Sequence, residues 1–155
     1  MNDKKKNVVI VDDHPLFREC LTRLINCEPD MEVTGQAESA KDAIELIRNT
    51  SPDLAIVDFS LKGSSGLELI KSIKPLSSGL HVLVLSMHEE SLYAERAIRG
   101  GATGYIAKHQ PADEVLLAVR RVLAGEIYFS EKMTSDGADS NSDLSVKANR
   151  DLQYE

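Results

Sequence analysis

Tryptophan is absent from this chain, aromatic residues make up 5 % of it, and only two of its 155 residues are cysteine. With so little aromatic surface, the core must be built from Leu, Ile and Val, each contributing roughly 1.5–3 kcal/mol when fully enclosed. No basic block is longer than Lys4-Lys5-Lys6, and the formal net charge is −7. The phosphate contacts that supply most non-specific nucleic-acid affinity are therefore missing, and the lysine triplet reads as a solvated end that keeps the first strand soluble. No stretch approaches the ~20 apolar residues that cross a bilayer. No apolar run follows the N-terminal charges as it would in a signal peptide. A soluble, cytoplasmic protein without membrane contact is expected. Cys20 and Cys27 fall on one predicted helix about 10 Å apart, beyond disulfide reach. They are expected to be free, buried thiols of a reducing compartment.

Two kinds of apolar segment alternate along the rest. The short kind is β-branched: Asn7–Val11, Leu54–Val57, His81–Leu85 and Gly104–Ala107. Near-continuous runs of this length suit parallel strands covered on both faces. Glu32–Ala37 is more polar and suits an edge strand. The longer kind has helical period. Leu16, Phe17, Cys20, Leu21, Leu24 and Ile25 form a stripe behind Pro15, at the first helical position. Ala40, Ala43, Ile44 and Ile47 follow Ser39, a candidate N-cap. Leu67, Ile70 and Ile73 follow Ser65, which with Glu68 makes a capping box. Leu92, Ala97 and Ile98 stop at Gly100-Gly101, and Val115 to Leu123 stops at Gly125. Five β-α units with right-handed crossovers give a parallel sheet with helices on both faces. Such a sheet carries its functional groups at the carboxyl ends of the strands.

From about Met133 the chain is small and polar, with little to bury. Residues 1–130 therefore read as one domain and 131–155 as a linker or tail, in which Leu144–Glu155 has the scattered apolar positions of one short helix.

The strand ends hold an unusual set. Strand one ends in Asp12-Asp13, strand three in Asp58, strand four in Ser86 and strand five in Lys108. Two like charges at 4 Å repel by about 4 kcal/mol at an effective dielectric of 20. Three carboxylates together therefore call for a neutralising partner, and a hard divalent cation with oxygen ligands is the natural one. Lys108 supplies further positive charge. An Asp at a strand end is, taken singly, far more often a turn former or cap, and Ser86, Tyr105 and Lys108 each have an ordinary reading too. The combination carries the signal. His14, His81, His88 and His109 lack metal-ligand spacing and are read without a metal role, His14 as a cap-region residue before Pro15.

This set resembles the receiver domain of two-component response regulators over roughly residues 7 to 130, a flavodoxin-like (βα)5 doubly wound sheet with strand order 2-1-3-4-5. The resemblance implies that Asp58 accepts a phosphoryl group from a sensor histidine kinase, making the chain a regulatory phospho-acceptor and not an enzyme with turnover. It implies Mg²⁺ held by Asp13, Asp58 and the backbone carbonyl of Ser60, with Asp12 acting largely through a bound water. Ser86 and Lys108 would meet the phosphoryl oxygens, and Tyr105 would swing inward, altering the surface of helix four, strand five and helix five. Two positions depart from the family pattern. Lys62 stands where proline is common, four residues after the acceptor. His109 stands where a cis proline is common, and a cis bond without proline costs about 3–4 kcal/mol, so Lys108–His109 is expected to be trans. His88 sits where family members tune phosphoryl lifetime.

The segments Gly63–Leu69 and Arg120–Ser130 are similar to the NarL/FixJ type, whose members continue into a LuxR-type helix-turn-helix. No recognition-helix pattern follows Ser130, so DNA contact is expected only through a domain this chain lacks. A homodimer is expected through one exposed face, either helix one with helix five or the helix-four side. The rival reading is a phosphate-independent pseudo-receiver that acts as an interaction module. A phosphohydrolase is disfavoured, because Ser60 stands where an acid would protonate the leaving group. A nucleotide-binding domain is disfavoured by the acidic, glycine-free Asp12-Asp13-His14-Pro15 loop.

Overall fold

A computed structural model describes residues 5–61, 65–77, 79–87 and 91–129. Lys62, Gly63, Ser64 and His88, and everything beyond Phe129, lie outside the described residues, and with them the tail reading. In chain order the elements are β1 (Lys6–Val11), α1 (Pro15–Asn26), β2 (Met31–Ala37), α2 (Ala40–Thr50), β3 (Leu54–Asp58), α3 (Gly66–Ile73), a 3₁₀ turn (Lys74–Leu76), β4 (His81–Ser86), α4 (Ser91–Arg99), β5 (Gly104–Ala107), α5 (Ala112–Leu123) and β6 (Tyr128–Phe129). The sheet order is β2-β1-β3-β4-β5-β6, which is the expected flavodoxin-like order with one short strand added. No described helix is long and apolar enough to cross a membrane.

The first compact unit runs to Val82. Within it β1 lies between β2 and β3, parallel to both, with Val8 to Val11 opposite Leu54 to Val57. All eight of those side chains are buried. Enclosure on both faces is why these segments are unbroken β-branched and aliphatic runs instead of alternating ones. β2 does alternate, with Glu32, Thr34 and Gln36 exposed, as an edge strand should. Its pairing with β1 skips Thr34, a one-residue bulge between Val33 and Gly35 of the kind common at edges.

Helix starts follow the cues in the chain. Pro15 opens α1. Ser65 Oγ accepts from the backbone N–H groups of Leu67 and Glu68 at the start of α3. Ser39 Oγ accepts from Asp42 N at 3.2 Å. Ser39→Ala leaves that N–H without its cap and should lower stability by about 1 kcal/mol, read as a lower urea midpoint with an unchanged slope.

The apolar stripe of α1 is narrower than its sequence period suggests. Leu21 and Ile25 are buried, whereas Leu16 is 78 % exposed. The expectation of buried thiols is also overturned, because Cys20 and Cys27 are both exposed and free. Successive helical residues point about 100° apart, so Cys20 turns away from the line through Leu21 and Ile25. Cys27 is the C-cap, past the last full turn.

His81 opens β4, its N–H donating to Asp53 O at 3.0 Å. Burial, then the neighbouring Lys74 and Lys6 ammonium groups, hold its imidazole below the ordinary 6.5, with Asp53 opposing. Above that pH the ring is neutral folded or unfolded and contributes nothing. As pH falls below it, the unfolded chain takes up the proton first, and stability declines. His81→Gln should flatten the fall of the urea midpoint over that acidic window, leaving the neutral-pH midpoint nearly unchanged.

In the second unit, from Leu83, β4 and β5 pair in parallel from Leu83–Gly104 to Ser86–Ala107, and β6 adds to β5 through Gly104–Tyr128 and Tyr105–Phe129. A Cβ at Gly104 would stand 2.7 Å from Val122 Cγ2 and 3.0 Å from Leu83 Cδ1. Its absence lets α5 lie close on the strand, burying Val115, Ala118, Val119 and Val122. α4 ends at Arg99 before Gly100-Gly101, as its sequence indicates. The strand β6 was not expected, since two residues are too few to show a period.

Candidate functional site

β1 and β3 are parallel neighbours in register, so their carboxyl ends open onto the same edge of the sheet. Asp12 and Asp13 follow β1, and Asp58 is the last residue of β3. Ligating atoms of Asp12, Asp13, His14 and Asp58 all lie within 4.8 Å of one another. Asp12 and Asp58 are buried at 2 % and 3 % exposure. Acidic side chains are almost never this enclosed unless paired or ligating.

The loop that carries them is held from several sides. Asp12 N donates to Ala37 O at 3.0 Å, tying the end of β1 to the end of β2. Arg18, one turn into α1, donates from Nη1 to Asp12 O at 2.7 Å and from Nε to Gln36 Oε1 at 3.1 Å. Asp12 Oδ1 accepts from His14 N at 2.8 Å, and Asp58 Oδ1 accepts from Ser60 N at 3.1 Å. Each of these two carboxylates is thus oriented by a backbone N–H two residues on. α3 is anchored beside the acceptor strand by Gly66 N donating to Phe59 O at 3.0 Å.

His14 occupies the N-cap position of α1 by backbone conformation, but its side chain makes no capping bond. The ring turns back instead, placing Nδ1 at 2.8 Å from Asp12 Oδ1, 3.2 Å from Asp13 Oδ1 and 3.7 Å from Asp58 Oδ2. Sequence spacing missed this residue, because the grouping depends on β3 bringing Asp58 beside a loop more than forty positions earlier. The one available signal was its direct adjacency to the acidic pair.

The other expected site residues lie in the second unit. Ser86 ends β4 and is fully buried, and its carbonyl accepts from Lys108 N at 2.7 Å. Tyr105, in the middle of β5, has no exposed surface. Lys108 follows β5 at intermediate exposure. The Lys108–His109 bond is trans, there being no cis peptide among the described residues, as the energetic cost of a cis bond without proline requires.

The donor set of the acidic cluster suits a small hard cation. Three carboxylates from two adjacent strand ends offer oxygen ligands and more negative charge than the imidazole alone can offset. Mg²⁺ fits this donor set.

Comparison with known proteins bears on what such a cluster is for. Residues 8–120 match the family described as response regulator receiver domain. The chain is 34 % identical over 134 residues to the transcriptional regulatory protein DegU of Brevibacillus brevis, a match covering 86 % of this chain and 57 % of that protein. It is 34 % identical over 151 residues to the nitrate/nitrite response regulator protein NarL of Escherichia coli K12, covering 96 % of this chain and 67 % of that one. This chain thus spans little more than half to two thirds of the length of these relatives. Among solved structures, a LuxR-family two-component response regulator from Aurantimonas sp. SI85-9A1 superposes with a TM-score of 0.84 at 32 % identity, covering 88 % of this chain and 98 % of that one. The signal receiver domain of the putative response regulator NarL from Mycobacterium tuberculosis gives a TM-score of 0.75 at 31 % identity, covering 80 % and 100 %.

Proposed function

Because the chain belongs to the response regulator receiver domain family, we propose that it is a phosphorylation-dependent switch in which Asp58 accepts the phosphoryl group of a sensor histidine kinase. The observation that carries this reading is the meeting of Asp12, Asp13 and Asp58 within 4.8 Å at the ends of two adjacent parallel strands. Phosphoryl transfer asks mainly for positioning and for neutralisation of charge.

In this reading a carboxylate oxygen of Asp58 attacks the phosphorus of a phosphohistidine. The O–P bond forms as the N–P bond breaks, and the departing imidazole takes up a proton. Ser60 N–H holds Asp58 Oδ1, which orients the carboxylate for attack. Asp13, Asp58 and the carbonyl of Ser60 would hold Mg²⁺, with Asp12 contributing through a bound water. The bound cation supplies the positive charge that lets two anions approach. Lys108 and the Ser86 hydroxyl then take the new phosphoryl oxygens. That group brings close to two negative charges and strong acceptor oxygens, enough to bias a two-state element.

The element biased is α4, β5 and α5. The Lys108 N–H to Ser86 carbonyl bond ties the ends of β4 and β5, so a pull on either side chain is felt in both loops. Tyr105 is already fully enclosed in this structure, so its part as the switch aromatic is proposed from the family pattern and not from its burial. Residues 1–130 serve as the receiver and 131–155 as a connector toward an effector domain. The name of one relative, a transcriptional regulatory protein, supports a transcriptional output.

The test is labelling with a small phosphodonor such as acetyl phosphate, with and without Mg²⁺, followed by intact-mass measurement. One phosphoryl group, added only with the cation and removed by hydroxylamine as an acyl phosphate must be, is the expected result. Absence of labelling at millimolar donor and cation would leave a phosphate-independent interaction module instead. Repeated turnover of phosphate esters would make the chain a hydrolase.

A further inference from the structure

His14 brings the only nitrogen donor to the acidic cluster among the described residues. First-row divalent ions bind nitrogen and oxygen at about 2.0–2.2 Å. Adjacent donors around such an ion therefore stand about 3.0 Å apart in an octahedron and about 3.4 Å apart in a tetrahedron, by geometry from those bond lengths. The Nδ1 separations from the Asp13 and Asp58 oxygens, the two carboxylates proposed to ligate directly, are 3.2 and 3.7 Å, near those values. A hydrogen bond explains the 2.8 Å separation from Asp12 Oδ1. It does not require the same nitrogen to approach two further carboxylates, since one N–H aims at one acceptor.

The rest of the residue is arranged to permit ligation. Its backbone N–H is engaged with Asp12 Oδ1, which fixes the ring's point of attachment beside the carboxylates. The side chain is 61 % exposed, so Nε2 can face water while Nδ1 faces inward. No capping bond competes for the ring.

We propose that His14 is a metal-specificity ligand. It adds an imidazole nitrogen to an otherwise all-oxygen site and shifts its preference from Mg²⁺ toward later first-row divalent ions. Imidazole favours Ni²⁺ and Zn²⁺ strongly, whereas carboxylate and water sites hold Mg²⁺ as well without it. The inference rests on the cation-assisted phospho-acceptor reading and deepens it. The same pocket would then load with a transition metal at concentrations where Mg²⁺ occupies it only partly.

The experiment is calorimetric titration of the full chain with MgCl₂, MnCl₂ and NiCl₂, set beside His14→Ala, His14→Asn and Asp13→Asn. Asparagine keeps a good N-cap residue while offering only a hard amide oxygen, so it separates ligation from any effect on α1. Wild type should bind Ni²⁺ more tightly than Mg²⁺. Both His14 variants should lose about tenfold or more in Ni²⁺ affinity while Mg²⁺ affinity stays within about twofold. With Mn²⁺, electron spin-echo spectra should show imidazole-nitrogen coupling in wild type and none in either variant. Equal loss of Ni²⁺ and Mg²⁺, unchanged Ni²⁺ affinity, or no nitrogen coupling in wild type would each overturn the proposal. Those results leave the acidic site standing. Retention of Mg²⁺ binding by Asp13→Asn would instead sink the acidic site, and failure of any ion to bind wild type would sink both.

Discussion

Asp58→Asn should eliminate Mg²⁺-dependent phosphoryl labelling altogether, with no residual hydroxylamine-sensitive mass. An amide oxygen is a poor nucleophile toward phosphorus, and no other carboxylate stands at the end of β3. Asp12 and Asp13 are nearby, but Asp12 Oδ1 already accepts from the backbone N–H of His14. The change is nearly isosteric and removes one of three crowded like charges, so folding should not suffer. Two carboxylates near 4 Å repel by about 4 kcal/mol at an effective dielectric of 20, and relief of part of that should hold or raise the thermal midpoint measured without cation. The pairing of lost labelling with undiminished stability is what separates loss of chemistry from loss of fold. Labelling that persists in Asp58→Asn, mapped by peptide mass to another residue, would move the acceptor elsewhere and remove the basis of the functional reading.

The largest stability effect from a single small change is expected at Gly66. A Cβ built there lies 2.7 Å from both Cα and O of Phe59 and 2.9 Å from its carbonyl carbon. All three contacts are backbone, so no side chain can rotate to make room. Valine must push the first turn of α3 away from the segment that follows Asp58, and the Gly66 N to Phe59 O bond is lost with it. Overpacking of this kind costs about 1–3 kcal/mol, and a buried hydrogen bond adds about 1 kcal/mol. At roughly 3–5 °C per kcal/mol for a domain of this size, Gly66→Val should melt on the order of 10 °C lower. Gly66→Ala should show a smaller fall, partly offset by alanine's better helix propensity. The displaced segment includes Ser60, whose N–H orients Asp58, so labelling should slow even at temperatures where the variant is folded. A melting point within a degree or two of wild type would show that the close approach carries no strain.

The strands and helices were legible because their causes are local. Val8–Val11 and Leu54–Val57 are unbroken apolar runs, and runs of that length lie between two covered faces. Ser39, Ser65 and Pro15 announced helix starts through hydrogen-bonding and dihedral preferences that need no distant partner. The gathering of Asp12, Asp13 and Asp58 was legible for a related reason: parallel strands with right-handed crossovers send all their carboxyl ends to one edge. The misses share the opposite cause. Cys20 and Leu16 belong to a helical apolar pattern, but which part of that pattern is covered depends on what packs against α1: Leu21 and Ile25 are buried, Phe17 and Leu24 half-buried, and Leu16 and Cys20 exposed. The two-residue β6 has no period of its own and exists only because β5 offers an edge.

Taken alone, the chain determined its alternating elements, their parallel arrangement and the presence of acidic groups at the strand ends, since short-range sterics, hydrophobic period and crossover handedness act through neighbours in sequence. Tertiary structure alone decided which apolar residues stay wet, how closely α3 rests on the Phe59 backbone, and that the His14 ring turns from the helix cap to the carboxylates. Those outcomes depend on distances between segments far apart in the chain, and such distances are set only when the sheet has formed.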